Sequence, residues 1–389
     1  MPKFPHVSRH LAQMVGSVFE KFRASMQAQG ENLVRFHLGD TYLPVAYPLP
    51  LQKQFEQHYP KLNRYCDTFG IAPLREVLAE KLRTDNHLPV EPSHLLLTAG
   101  ATNALSCAVT TLLEPGEDLM VLTPAWPLFF GIAKVNRVNV VEAPLYLRLY
   151  DEPDLDIETY LEAYLTPQTS LMYLNSPNNP TGKVLAEDQL RQVARFAQKH
   201  NLWLISDEAY DGLTFGDIPH ISIGSFEGMF EQTISVYTFS KSFMFAGLRL
   251  GYAVADSPVI RELNKVLVHQ LYSPSTLAQQ MMIEPVRTRH QWLPRVRETY
   301  QNYRDQFVDQ LNVTVHVPQA GYFLFFSVAD YLHGQESWQF VNRCIQNGVA
   351  AAPGHDFGAD FSDYIRVCFT AETPERMAQG VARLNQLLA

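Results

Sequence analysis

Seven short apolar runs, set apart by polar or amphipathic stretches, organise the middle of the chain. They are Leu95 to Thr98, Asp118 to Leu122, Val138 to Ala143, Ser170 to Leu174, Leu202 to Ser206, Thr233 to Tyr237 and Gly251 to Ala255. Near-continuous apolar runs of this length are the pattern of strands covered on both faces. Helical spacing replaces it between the runs, notably over Ala101 to Leu113 and Glu187 to His200. Strand and helix therefore alternate as in βαβ units, and an α/β fold is expected, with one mostly parallel seven-stranded sheet flanked by helices.

The flanks read differently. Leu11, Met14, Val15, Val18, Phe19 and Phe22 recur at helical spacing, predicting an amphipathic helix from about Ser8 to Gln29. Val34 to Gly39 alternates as a short strand that breaks at the glycine, and Pro44, Pro48 and Pro50 suggest a rigid extended connector. Beyond Pro258 the pattern is helical to about Leu311, with a long charged helix from about Trp292. Residues from Val313 onward read as strand, strand, helix, strand, strand, helix. The expected division is an N-terminal segment, 1–45, packing with the small domain; a large domain, 46–290; and a small α+β domain, 291–389.

Composition narrows the function mainly by exclusion. A net charge of -9 gives no electrostatic reason to bind nucleic acid or an anionic membrane. No apolar run approaches the roughly 18 residues of a membrane span, and the N-terminus lacks a basic stretch followed by an apolar one. Cys66, Cys107, Cys344 and Cys368 are far apart and form no Cys-x-x-Cys pair, which fits reduced thiols in a cytoplasmic protein. His6 and His10 have the spacing of a metal pair but lack a third ligand, so no metal site is expected.

Open parallel sheets bind ligands outside the carboxyl ends of their strands, and the chemically informative residues stand there. Ala99-Gly100-Ala101-Thr102 is a small-residue turn opening a helix, suited to a phosphate but common in ordinary βα turns. Trp126, set between prolines, offers a ring either for stacking or for packing. Asn175-Ser-Pro-Asn178-Asn179 presents side-chain amides. Asp207, directly after an apolar strand, needs a cation if buried, or serves as a helix cap. Lys241 follows a β-prone run and two hydroxyl residues; an apolar setting would make it a neutral amine able to form a Schiff base, while a snorkelling surface lysine is the plainer alternative. Arg249 offers a guanidinium for phosphate, and Arg366, inside the apolar strand Tyr364-Ile-Arg-Val-Cys, would need an anion.

Ala99-Gly-Ala-Thr102, Trp126, Asn179-Pro-Thr-Gly182, Asp207 with Tyr210, and Lys241 to Arg249 occur in an order that resembles the class I/II pyridoxal-phosphate-dependent aminotransferases of fold type I. The resemblance runs from about Val34 to the C-terminus. It implies pyridoxal 5'-phosphate as cofactor, with Lys241 as Schiff-base anchor and proton carrier. Asp207 would pair with the ring nitrogen, Asn179 and Tyr210 with the phenolic oxygen, and Trp126 would stack on the ring. Ala101, Thr102, Thr238, Ser240 and Arg249 would surround the phosphate. Arg366 would hold the substrate carboxylate and Gly39 would admit the substrate close to the backbone. Tyr65 matches a tyrosine that family members lend to the neighbouring subunit, implying a homodimer.

The activity so implied moves an amino group from an L-amino acid to a 2-oxo acid. A carbon–sulfur β-lyase uses the same residues and stays open as an alternative. A non-catalytic sensor domain and a nicotinamide dehydrogenase are remoter, the latter because no Gly-x-Gly-x-x-Gly follows a strand. Thr238 replaces the family's usual serine, Thr41 its usual proline and Ala320 one glycine. His355 is unusual in Pro353-Gly-His-Asp-Phe-Gly358, where a structural role is the plainer reading. Tyr42, Phe129, Phe245 and Tyr322 suggest an aromatic pocket or plain packing. No second arginine offers itself to a distal carboxylate, which points to a neutral or aromatic donor.

Overall fold

The computed structural model describes residues 14, 16, 19–47 and 62–389. The seven apolar runs form one sheet from β1 (Leu95–Thr98), β2 (Asp118–Thr123), β3 (Asn139–Pro144), β4 (Thr169–Asn175), β5 (Trp203–Asp207), β6 (Thr233–Thr238) and β7 (Gly251–Val254). Their order is β1-β7-β6-β5-β4-β2-β3. The neighbours from β3 to β6 pair in parallel, whereas β7 runs antiparallel to both β6 and β1. That reversal matters for function. It pairs Gly251, at the start of β7, with Thr98 and Thr238 at the ends of β1 and β6, so Arg249 reaches the same sheet edge as the strand ends.

Both faces of this sheet are covered. Leu96, Val121, Tyr173 and Ile205 lie in one apolar layer with the helices Ala101–Leu112 and Ser257–Gln270. Met120, Leu122, Met172 and Leu204 lie in the opposite layer with Glu187–Lys199. Burial on both faces is why the strands read as continuous apolar runs.

A second sheet of three antiparallel strands, β8 (Phe323–Ser327), β9 (Ala352–Pro353) and β10 (Tyr364–Cys368), has the order β8-β10-β9. The helices Ser337–Gln346 and Pro374–Leu387 belong to the same stretch, and Arg289–Gln310 is the long helix that precedes it, starting slightly before the expected Trp292.

Two expected strands are absent. Residues 313–317 alternate apolar and polar in sequence, but they pair with no strand among the described residues and run as coil. Residues 34–39 form only a single bridge, Val34 to Val349, supplemented by the Cys368 N–H donating to the Phe36 carbonyl. They lie along the small sheet's surroundings without joining a ladder. The expected N-terminal helix is described only from Glu20, as a 3₁₀ turn and the helix Arg23–Gln29; its earlier part, His6, His10, Pro48 and Pro50 lie outside the described residues. No described helix is long and apolar enough to cross a membrane.

Candidate active site

A cavity of about 380 Å³ lies where the edge of the large sheet meets the residues around β8, β9 and β10. Every predicted site residue except Tyr65 lines it. From the large sheet come Ala101, Thr102, Trp126, Asn179, Asp207 and Tyr210, and from the segment after β6 come Thr238, Ser240, Lys241 and Arg249. Gly39 and Arg366 close it from the other side. Tyr65 lies elsewhere, 83% exposed and with its ring 4.7 Å from that of Tyr272.

Strand register positions the acidic centre. Asn175 and Asp207 are partners at the ends of β4 and β5. Asn175 Nδ2 donates to the Asp207 carbonyl at 2.8 Å, and its Oδ1 accepts from the Asn179 N–H at 2.7 Å. The buried Asp207 carboxylate accepts from Tyr173 Oη at 2.7 Å and from the Ala209 N–H at 3.2 Å. It has no ion-pair partner among the described residues, and burial pushes its pKa up to about 6 against those two hydrogen bonds. A buried carboxylate kept in this state is a receptor for a cation.

Lys241 follows β6 and is also desolvated. Its Nζ donates to the Gly39 carbonyl at 2.7 Å and lies 5.3 Å from the Tyr322 ring centroid and 5.8 Å from that of Tyr210. Burial lowers its pKa to about 8, so a substantial neutral fraction exists near physiological pH. Gly39 is required here by space: a Cβ would stand 2.7 Å from Phe323 Cζ and 3.7 Å from Lys241 Nζ.

Beside the amine, the first turn of Ala101–Leu112 follows Gly100, which has φ +81° and gives no side-chain cap. Arg249, itself left-handed at φ 51°, approaches so closely that a Cβ on Gly100 would meet its Nη2 at 3.1 Å. A Cβ on Gly251 would meet the Ala101 nitrogen at 2.8 Å. Thr238 Oγ1 and Ser240 Oγ are 3.0 Å apart. A helix N-terminus, two hydroxyls and a guanidinium make a cradle for a doubly charged oxyanion.

Opposite the sheet edge, Arg366 sits in the central strand of the small sheet, buried. Its Nη1 donates to Asn179 Oδ1 at 3.0 Å and its Nη2 to the His37 carbonyl at 2.9 Å, while Nε has no partner. The guanidinium lies 4.1 Å from the Phe323 ring centroid and 4.9 Å from that of Phe357. No carboxylate pairs with it among the described residues, and burial lowers its pKa to about 10. The site is therefore built to receive an anion.

Whole-chain comparisons agree with this arrangement. The family model "Aminotransferase class I and II" matches residues 46–384. The chain belongs to that family, and it is an amino-group transferase. An aspartate aminotransferase of Pyrococcus abyssi is 31% identical over 84% of each chain. Aromatic-amino-acid aminotransferase 2 of Thermococcus litoralis is 29% identical, again over 84% of each. A solved single-mutant structure of Thermus thermophilus aspartate aminotransferase superposes with a TM-score of 0.89 at 27% identity, covering 98% of this chain and 99% of that one. These relatives are transferases and lend nothing to the eliminating alternative. The family works with pyridoxal phosphate, and the aminotransferase site has the matching donors: an amine, an uncapped helix N-terminus, a buried carboxylate without a cation and a buried guanidinium without an anion.

Some participants escaped sequence reasoning. Tyr173 escaped entirely, and Asn175 stood out only as one of several strand-end amides; both secure Asp207, and their place on one face of β4, two residues apart, was the available signal. His37 and Phe323 line the cavity from a turn and from β8, whereas Asp356 and Phe357 line it from the turn Pro353-Gly-His-Asp-Phe-Gly358, which the resemblance places near the site. The suggested aromatic pocket is corrected: Tyr42, Phe129, Phe245 and Tyr322 do not line it. Phe129 stacks on Tyr173 at 3.7 Å, Phe245 is buried in the core, Tyr42 bonds Tyr303, and Tyr322 donates to the Lys241 carbonyl. Phe19, Trp126, Tyr210, Phe323 and Phe357 form the aromatic lining instead.

Proposed function

We propose that this aminotransferase binds pyridoxal 5'-phosphate in the cavity at Lys241 and moves an amino group from an L-amino acid to a 2-oxo acid. The observation that carries this reading is the meeting, in one cavity, of a desolvated amine with a buried carboxylate lacking a cation and a buried guanidinium lacking an anion. When bound, the cofactor supplies a carbonyl for amines and a protonated ring that accepts electron density.

The chain's own residues then have separable tasks. Arg249, the Thr238 and Ser240 hydroxyls and the N–H groups of Ala101 and Thr102 hold the phosphate. Asp207, once ionised, keeps a proton on the ring nitrogen. Asn179 and Tyr210 donate to the phenolic oxygen, and Trp126 covers one ring face. Arg366 grips the substrate carboxylate, and Gly39 leaves room for the substrate beside the backbone. Lys241 Nζ, in its neutral form, would take the α-proton and later return one. Holding the carboxylate and the ring plane fixes the direction of the α C–H bond.

Among the described residues of one protomer, three cations line the cavity, Lys241, Arg249 and Arg366, and all three have tasks at the reacting end. This supports a neutral or aromatic side chain on the donor. The exposed Tyr65 supports a homodimer in which it serves the neighbouring phosphate site. The two sheets support a large domain over 46–290 and a small one over 291–389 joined by the N-terminal segment, and four free cysteines support a cytoplasmic location.

Absorbance of the reconstituted protein tests the reaction. A true donor should bleach the visible band once, releasing one equivalent of 2-oxo acid per site, and a 2-oxo acid should restore it. Continuous release of pyruvate and ammonia without an acceptor would overturn the transferase reading in favour of elimination.

A further inference from the structure

A second cavity of about 540 Å³ adjoins the first. Pro127, Leu128 and Asp356 line both, so the two meet between the first turn of the helix Pro127–Asn136 and the turn Gly354–Phe357. Beyond this junction the annex is apolar along Phe130, Val138 and Val140, with Lys134, Glu142 and His355 as its polar members. Gly131 lines it as well: among the described residues, a Cβ added there would meet nothing nearer than Met14 Cε at 3.8 Å. At the junction, Asp356 Oδ2 is buried without a hydrogen-bond partner, a condition that costs free energy until a donor arrives.

An α-amino acid held by its carboxylate at Arg366, with its α-proton facing Lys241 and its amino group engaged at the reacting centre, has only its side chain free to leave that centre. The residues shared by the cavities give that side chain an exit. We propose that the annex is the distal side-chain subsite, and that the enzyme takes amino acids with a long side chain that presents an N–H or O–H donor to Asp356 and continues as an apolar tail along Phe130 and Val140. This rests on the aminotransferase reading of the first cavity and names its substrate class.

Nε-octanoyl-L-lysine has that design: an aliphatic stem, an amide N–H and an apolar tail. L-norleucine shares the stem and lacks the rest. Each methylene buried is worth roughly fourfold in binding, so the holoenzyme should show kcat/KM at least tenfold higher for the octanoyl-lysine. Gly131→Trp, which fills the annex, should cancel that preference and leave norleucine turnover unchanged; Val140→Phe serves the same purpose if the first variant does not fold. Norleucine outperforming the octanoyl-lysine in the wild type, or a filled annex lowering both donors equally, would overturn the proposal. Absence of turnover with these and with every other amino donor would instead remove the assignment of the first cavity.

Discussion

At the edge of the large sheet, the polar side chains are held by neighbours on adjacent strands; opposite them, the groups proposed to face the substrate keep bonds unmade. Asp207 takes two hydrogen bonds and its backbone a third, from the partner strand's Asn175. Arg366 Nε, His37 Nδ1 and Asp356 Oδ2 are buried without partners among the described residues. The first half is a rigid frame suited to a constant ligand. The second leaves donors and acceptors for a ligand that changes between half-reactions, and turns such as Gly354–Phe357 can vary without disturbing the sheet.

Mutations should separate the halves. The largest effect is expected for Lys241→Ala, which removes nucleophile and base together; kcat should fall by about 10³-fold or more, measured at saturating cofactor. Wild-type turnover in this variant would break the account of the frame. Next, Arg366→Leu should raise KM for the amino donor by about 10²-fold, in line with losing a buried charge-paired contact, while cofactor affinity by equilibrium dialysis stays within about twofold. Equal losses of both would show that the halves are not separable.

Asp207→Asn should weaken cofactor binding by about tenfold and yet stabilise the cofactor-free protein. The folded pKa of about 6 lies above the free value of 3.8, so the native state binds this proton more tightly than the unfolded chain. Stability from that source is present below the unfolded pKa and is lost as pH rises through the folded one. The variant should therefore gain on the order of 3 kcal/mol near pH 7.5 and almost nothing near about pH 3, read from denaturant melts. A variant less stable at both pH values would contradict the burial argument.

The smallest effect belongs to Thr238. Thr238→Ser keeps the hydroxyl and should leave cofactor affinity within about twofold, whereas Thr238→Val should cost roughly five- to tenfold, the net worth of one ordinary hydrogen bond.

The same contrast explains what the sequence made legible. Strand ends follow from apolar runs, so Asp207, Lys241 and the turn at Gly100 could be placed from spacing, and the ordered motifs supplied their company. The antiparallel course of β7 was not visible, because four apolar residues read the same in either direction; yet it is what brings Arg249 to the cradle. The substrate half was harder. Arg366 stood out as a charge in an apolar strand, but His37, Asp356 and Phe357 enter through coil and turns whose positions depend on the small sheet. Val313 to Val317 shows the reverse failure: an alternating pattern without a neighbour to pair with remains coil.

The central claim is that Lys241 is the amine on which the cofactor is held. Incubating the cofactor-free protein with pyridoxal 5'-phosphate, reducing with borohydride and mapping the modified peptide tests it directly. The account predicts one pyridoxyl group per chain, on Lys241, with incorporation rising as pH is raised through about 8 where this amine loses its proton. Modification of another lysine in its place, or none on the peptide carrying Lys241, would contradict it.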